Sequence, residues 1–159
     1  MQVDTEQALD AKAMSVFTEL LMHKSEAIRA MAARDIFDLS IPLEGKQVAL
    51  TLETVPLLVN LLKDEDGKVK SKSALALEAI AITTEGKYAC IKEEAVENLV
   101  ALIHDLSSEA RVNGLKAITC LAETPAAREQ LIKHIQAVCF IYLLNLNKSS
   151  IYYLFLILD

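Results

Sequence analysis

From Val55 to Leu62 the apolar residues Val55, Leu58, Val59 and Leu62 recur at i, i+3, i+4 and i+7. That spacing lays one apolar stripe along a helix. A second stripe runs through Val69, Ser73, Ala76, Leu77 and Ile80. Pro56 suits the first turn of the first stripe, where its missing N–H is not needed. The segment "DEDG" (64–67) separates the two stripes, and Asp66 stands where it can accept from free N–H groups of the helix that follows. A shorter segment around Ala49 and Leu50 precedes the pair. The pattern predicts a short helix followed by two longer ones.

The same pattern returns at a fixed interval. Residues 14–46 lie over 55–87 and over 96–128 without a gap. The apolar columns are Met14/Val55/Val96, Phe17/Leu58/Leu99, Leu21/Leu62/Ile103, Ile28/Val69/Ala110, Ile36/Leu77/Ile118 and Leu39/Ile80/Leu121. Ser25, Asp66 and Ser107 share the capping column, and Arg29, Lys70 and Arg111 share a basic one. Short segments with Ala8/Ala49/Cys90/Leu131 open each unit. Glu-Gly-Lys recurs at 44–46 and 85–87. A phosphate-binding loop would need GxxxxGK[ST]. Ser40 and Gln47, then Ala81 and Tyr88, stand at the required positions, so neither copy fits. The motif reads instead as the junction between units, with glycine relieving the backbone and Glu favoured near a helix start. The third junction, "PAAR", shows that glycine is not obligatory there.

A repeat of this length signals a solenoid, because one such unit cannot bury its apolar face alone. The fold class expected is all-α, an armadillo/HEAT-like α-solenoid of three-helix repeats with period 41. It spans 5–135 as about three full units and the start of a fourth. Composition agrees: 53% of the 159 residues are apolar, and four Gly and three Pro are too few for a many-stranded β protein. The net charge of −6 comes without a basic stripe, which argues against nucleic acid as a partner. Cys90, Cys120 and Cys139 lack metal-ligand spacing, and their odd number suits a reducing compartment. Cys90 and Cys120 lie among apolar residues and read as small core side chains.

Three helices in about forty residues is the armadillo pattern, and "ETVPLLVNLLKDEDGKVKSKSALALEAIA" (53–81) resembles its core. The wording is more specific still. "TEQALDAKAMSVFTELLMHKSEAIRAMAARDIFDLSIPLEGK" (5–46), "VPLLVNLLKDEDGKVKSKSALALEAIAITTEGKYA" (55–89) and "GLKAITCLAETPAAREQLIKHI" (114–135) resemble the carboxy-terminal repeats of the radial spoke head 14 homologue family. That resemblance implies a non-enzymatic structural component of axonemal radial spokes in the cytoskeleton of motile cilia and flagella, with other spoke subunits as partners. It also implies further repeats upstream, so the chain reads as a fragment or short form.

The resemblance stops at residue 136. Residues 136–159 hold two apolar runs, 137–144 and 151–158, with Lys148 and Asp159 as the only charges. The length suits a membrane span. The polar "NLNKSS" (145–150) near the middle argues against one. An apolar tail replacing the last repeat is expected instead, prone to self-association because large exposed apolar patches favour it.

No catalytic, cofactor-binding or metal-binding residues emerge, and no cofactor is expected. His23, His104 and His134 share no repeat column. "KDEDGKVKSK" (63–72) lacks the ligand order of an EF-hand. The remaining functional surface is the groove of successive third helices. Armadillo import adaptors use a Trp and an Asn there in each repeat. The matching pairs here are Arg34 and Asp38, Leu75 and Ala79, Lys116 and Cys120. With that ladder absent, basic nuclear-signal peptides are not the expected ligand. Partner binding is expected at Arg34, Asp38, Leu75 and Lys116. The alternative is a soluble armadillo adaptor that binds an extended peptide in cytoplasm or nucleus.

Overall fold

The computed structural model describes residues 2–134. Every regular element among them is helical: α1 (Gln2–Leu20), α2 (Glu26–Leu39), α3 (Leu43–Thr51), α4 (Thr54–Leu61), α5 (Gly67–Ile80), α6 (Thr84–Lys92), α7 (Ala95–Leu102) and α8 (Ser108–Leu121). A last helix, α9, covers 125–134. The chain is a solenoid. Helices α3–α5 and α6–α8 are two complete three-helix units. Helices α1 and α2 make the first unit, and α9 opens a fourth.

The third helices α2, α5 and α8 pack side by side and carry the most extensive contacts between units. The core follows from this stacking. In the middle unit Val55, Leu58, Leu62, Val69, Leu77 and Ile80 are all buried. In the outer units the matching Phe17, Ile28, Leu39 and Ile118 are only half-buried. The sequence pattern is the same in each, so the difference reflects neighbours on both sides against a neighbour on one.

Four local expectations need correction. First, the middle helices are not long: α4 and α7 have eight residues each, one fewer than α3 and α6. Asp64 stops α4 early. Its carboxylate accepts from the N–H of Asp66 at 3.0 Å and turns the chain toward α5. Ser107 N–H donates to Asp105 in the same way at 2.9 Å.

Second, the first unit has no separate short helix, because α1 runs unbroken for 19 residues. In the next two units the chain turns at Glu53 and Glu94, both in the left-handed region with φ of 51° and 58°. Lys12 occupies that column, flanked by Ala11 and Ala13. These are strong helix formers, and no proline stands where Pro56 discourages a continuous helix in the second unit.

Third, the capping column works in two units of three. Asp66 accepts from the N–H groups of Lys68 and Val69, and Ser107 from that of Ala110. Ser25 makes no side-chain cap bond, although its own N–H donates to His23 Nδ1 at 3.0 Å.

Fourth, the junction glycines do not relieve a strained backbone, since no glycine has positive φ. They allow a close approach. A Cβ on Gly45 would lie 1.7 Å from the carbonyl O of Leu39, and one on Gly86 would lie 1.9 Å from that of Ile80. The rest of the motif also has a purpose. Glu44 and Glu85 sit in the first turns of α3 and α6, where negative charge is favoured. In the first and third copies the basic residue bonds carbonyls of the turn that follows the preceding third helix, whereas Lys87 pairs with Glu123. Lys46 Nζ donates to Ile41 O at 2.6 Å, and Arg128 Nη1 donates to Ala122 O and Glu123 O at 2.9 and 3.0 Å.

Candidate partner-binding face

Side chains on the exposed side of the third helices come from consecutive units, so their order along the face is set by the repeat register. On α2, Arg34 and Asp38 are i, i+4 neighbours. Arg34 Nε and Nη2 donate to the two carboxylate oxygens at 3.0 and 3.2 Å. Both side chains are about half exposed, and the Arg34 guanidinium lies over the Phe37 ring with 5.3 Å to its centroid. The hydrogen bond and charge of Asp38 raise the Arg34 pKa. The pair therefore presents a rigid, locally neutral fork rather than a free cation.

On α5, Leu75 is half-buried and Ala79 buried. On α8, Lys116 is exposed and Cys120 half-buried, its Sγ donating to Ala81 O at 3.2 Å. The four expected residues thus lie on one array of helices, and hydrogen bonds join Arg34 to Asp38. Burial raises the Cys120 thiol pKa and pushes that of Cys90 up to about 12. Both stay protonated at neutral pH and are poor nucleophiles.

Sequence reasoning missed the charged ladder that ties the units together. Arg29 on α2 clasps Asp64 of the next unit through Nε and Nη2, at 2.8 and 3.0 Å. Lys70 repeats the contact with Asp105. Burial pushes the Asp105 carboxyl up, but bonds from Lys70 and the Ser107 N–H, with the charges of Lys70 and Arg111, bring it below its usual value. Lys72 on α5 pairs with Glu109 on α8, which holds that carboxyl down. Lys87 bonds Glu123, and its own pKa rises through that bond. Asn113 Nδ2 reaches Ser71 Oγ and O at 3.0 and 3.3 Å. The basic column Arg29/Lys70/Arg111 was visible in the sequence. Its acidic counterparts, Asp64 and Asp105, stand at one constant offset from Arg29 and Lys70, and that offset would have shown the pairing.

The fold is that of an armadillo solenoid. Among solved structures, a designed armadillo repeat protein in complex with peptide (KR)4 superposes with a TM-score of 0.74 at 26% identity, over 80% of this chain and 55% of that one. Computationally designed armadillo repeat proteins for modular peptide recognition match with a TM-score of 0.72 at 27% identity, over the same shares. An engineered protein matches with a TM-score of 0.74 at 25% identity, over 88% of this chain and 58% of that one. The chain spans a little over half the length of these structures. No protein-family profile matches it, and neither does any curated protein.

Other sites are less organised. A cleft of about 700 Å³ lies between α1 and α3, lined by Met14, Leu39, Val48 and Leu52 with Asp10 and Glu44. No histidine, serine or cysteine lines it, and the one hydroxyl in its lining, Thr51 Oγ1, donates to Gln47 O at 2.9 Å. His23 and His104 are exposed on separate turns. Among the described residues no cluster of His, Cys, Asp and Glu could hold a metal ion, and no helix is long and apolar enough to cross a membrane. The tail at 136–159, on which the membrane and self-association expectations fell, lies outside the described residues.

Proposed function

We propose that the chain is a non-enzymatic armadillo scaffold that docks protein partners along the face of its third helices. The observation that carries this reading is the side-by-side array of α2, α5 and α8. It offers Arg34, Asp38, Leu75 and Lys116 at repeat spacing and is stiffened by cross-unit ion pairs. Such a face suits a partner that contacts several units at once, with mixed charge and modest apolar area rather than one deep pocket. The sequence resemblance supports a finer reading, a structural component of axonemal radial spokes whose partners are other spoke subunits. The expected test is fractionation of motile cilia. The protein should remain with demembranated axonemes. A variant with Arg34, Asp38, Leu75 and Lys116 all changed to alanine should be lost from them while its far-ultraviolet circular dichroism still shows a folded helical array. A variant that stays bound removes these residues from the interface.

The second reading, a soluble adaptor for an extended peptide, draws on the neighbour that holds a (KR)4 peptide. The absent Trp/Asn ladder weighs against a basic peptide here. Submicromolar binding of a bipartite basic peptide, with no retention on axonemes, would favour the adaptor.

A further inference from the structure

The cleft between α1 and α3 combines an apolar lining with charge of one sign. Its volume of about 700 Å³ is that of a site that buries a ligand. Leu39, Val48 and Leu52 are half-buried along it. Pro42, also in the lining, stands in the chain between Ile41 and Leu43, which are 62% and 54% exposed and add apolar surface beside it. Asp10 and Glu44 are the charged residues of the lining. Both are exposed, and neither forms an ion pair with a described residue. Lys46 follows Gly45 closely, but it is buried, and its Nζ donates to Ile41 O and Pro42 O at 2.6 and 3.4 Å.

The next junction does not repeat this chemistry. One period on, Thr51 takes the place of Asp10, Lys92 that of Thr51 and Glu93 that of Leu52. Charge there is mixed, and less of the equivalent lining is apolar.

The walls restrict what can occupy the cleft. Along α1 and α3 the backbone N–H and C=O groups are spent on helical bonds, and Thr51 Oγ1 is spent on Gln47 O. An extended chain laid between them would find no ladder of partners, and a buried backbone group without a partner is costly. A helix bonds its own backbone and presents apolar side chains at i, i+3, i+4 and i+7 on one face. Lysine or arginine beside that stripe would complement Asp10 and Glu44.

We propose that this cleft docks an amphipathic helix of a protein partner, with the apolar stripe of that helix between α1 and α3 and its basic residues against Asp10 and Glu44. The surface is separate from the partner-binding face described above, because none of Arg34, Asp38, Leu75 and Lys116 lines it.

The test uses the full chain and a fluorescein-labelled synthetic helix, with leucines at i, i+3, i+4 and i+7 and arginines on both flanks of that stripe. Fluorescence anisotropy should show saturable one-to-one binding. Asp10→Asn with Glu44→Gln should weaken it about threefold to tenfold, as the loss of two exposed ion pairs implies. Glu97→Gln with Glu129→Gln, which removes the same charge elsewhere, should leave the affinity unchanged, and so should Leu75→Ala with Lys116→Ala. A peptide with glutamates in place of the arginines, or with two prolines inside the stripe, should not bind. Hydrogen exchange with the helix bound should slow at the amides of 43–52. No binding of the helix would overturn the proposal. Equal weakening by the two pairs of acid substitutions would also overturn it, because attraction to the net charge of −6 would then suffice. Undiminished binding of the proline peptide would refute the helical occupant, and loss of binding on changing Leu75 and Lys116 would place the peptide on the other face.

Discussion

Gly86→Ala sets two effects of opposite sign against each other. Gly86 lies inside the first turn of α6 with ordinary helical backbone, so propensity alone would make alanine better by about 1 kcal/mol. The packing argues the other way. The new Cβ would stand 1.9 Å from the carbonyl O of Ile80, 2.7 Å from its carbon and 2.9 Å from Thr83 Oγ1. A backbone carbonyl cannot rotate aside like a side chain, so α6 must move away from the end of α5. Overpacking of this kind costs about 1–3 kcal/mol. The shift also stretches the 3.1 Å bond from Gly86 N–H to Thr83 Oγ1, whose loss costs about 1 kcal/mol. Net destabilisation of about 1–3 kcal/mol is expected once the propensity gain is subtracted. The third junction shows the compromise: it carries Ala127, and there the bond to Thr124 Oγ1 is 3.4 Å long. Urea unfolding followed by circular dichroism in the far ultraviolet measures the effect. With an m-value of about 2 kcal/mol/M, the midpoint should fall by about 0.5–1.5 M. A Gly86→Ala protein as stable as the parent, or more so, would refute the close-approach account and leave the glycine without a packing role.

Leu62→Ala removes a buried side chain between α4 and its neighbours and should cost about 2–5 kcal/mol in the same assay; a loss below about 0.5 kcal/mol would mean the site is not core. Asp66→Ala should cost about 1 kcal/mol because it removes two cap bonds, whereas Ser25→Ala, which removes none, should be close to neutral; equal effects would contradict the capping geometry. The folded-state pKa of Asp105 lies below its ordinary value of 3.8, so its contribution to stability is complete above that value and is lost as pH falls through the depressed folded value. Asp105→Asn should therefore flatten the acid limb of a stability–pH curve; an unchanged limb would remove the Lys70 contact from the interactions that hold the units together.

The repeat register and the helical stripes determined the solenoid before any coordinates. Apolar spacing is a local signal, and three ungapped copies leave one way to bury their faces, against each other. The identities of Val55, Leu58, Leu62, Val69, Leu77 and Ile80 as core followed directly. The face of Arg34, Asp38, Leu75 and Lys116 was legible as a set of register positions, but not the bond that joins its first two members. What only the tertiary structure decided depends on neighbours distant in sequence. Periodicity did not reveal that Gly45 and Gly86 are required by a carbonyl rather than by φ, because the clash is with the end of another helix. Nor did it join Arg29 to Asp64 or Lys70 to Asp105, since each pair forms only when successive units stack. The length of α1 was likewise undecided by register, because Lys12 shares a column with Glu53 and Glu94 while its alanine neighbours keep the helix unbroken. Equivalent positions on α5 and α8 differ in exposure for the same reason. Ser71 and Val112 occupy one column, and exposure there is a property of the stack, not of the residue.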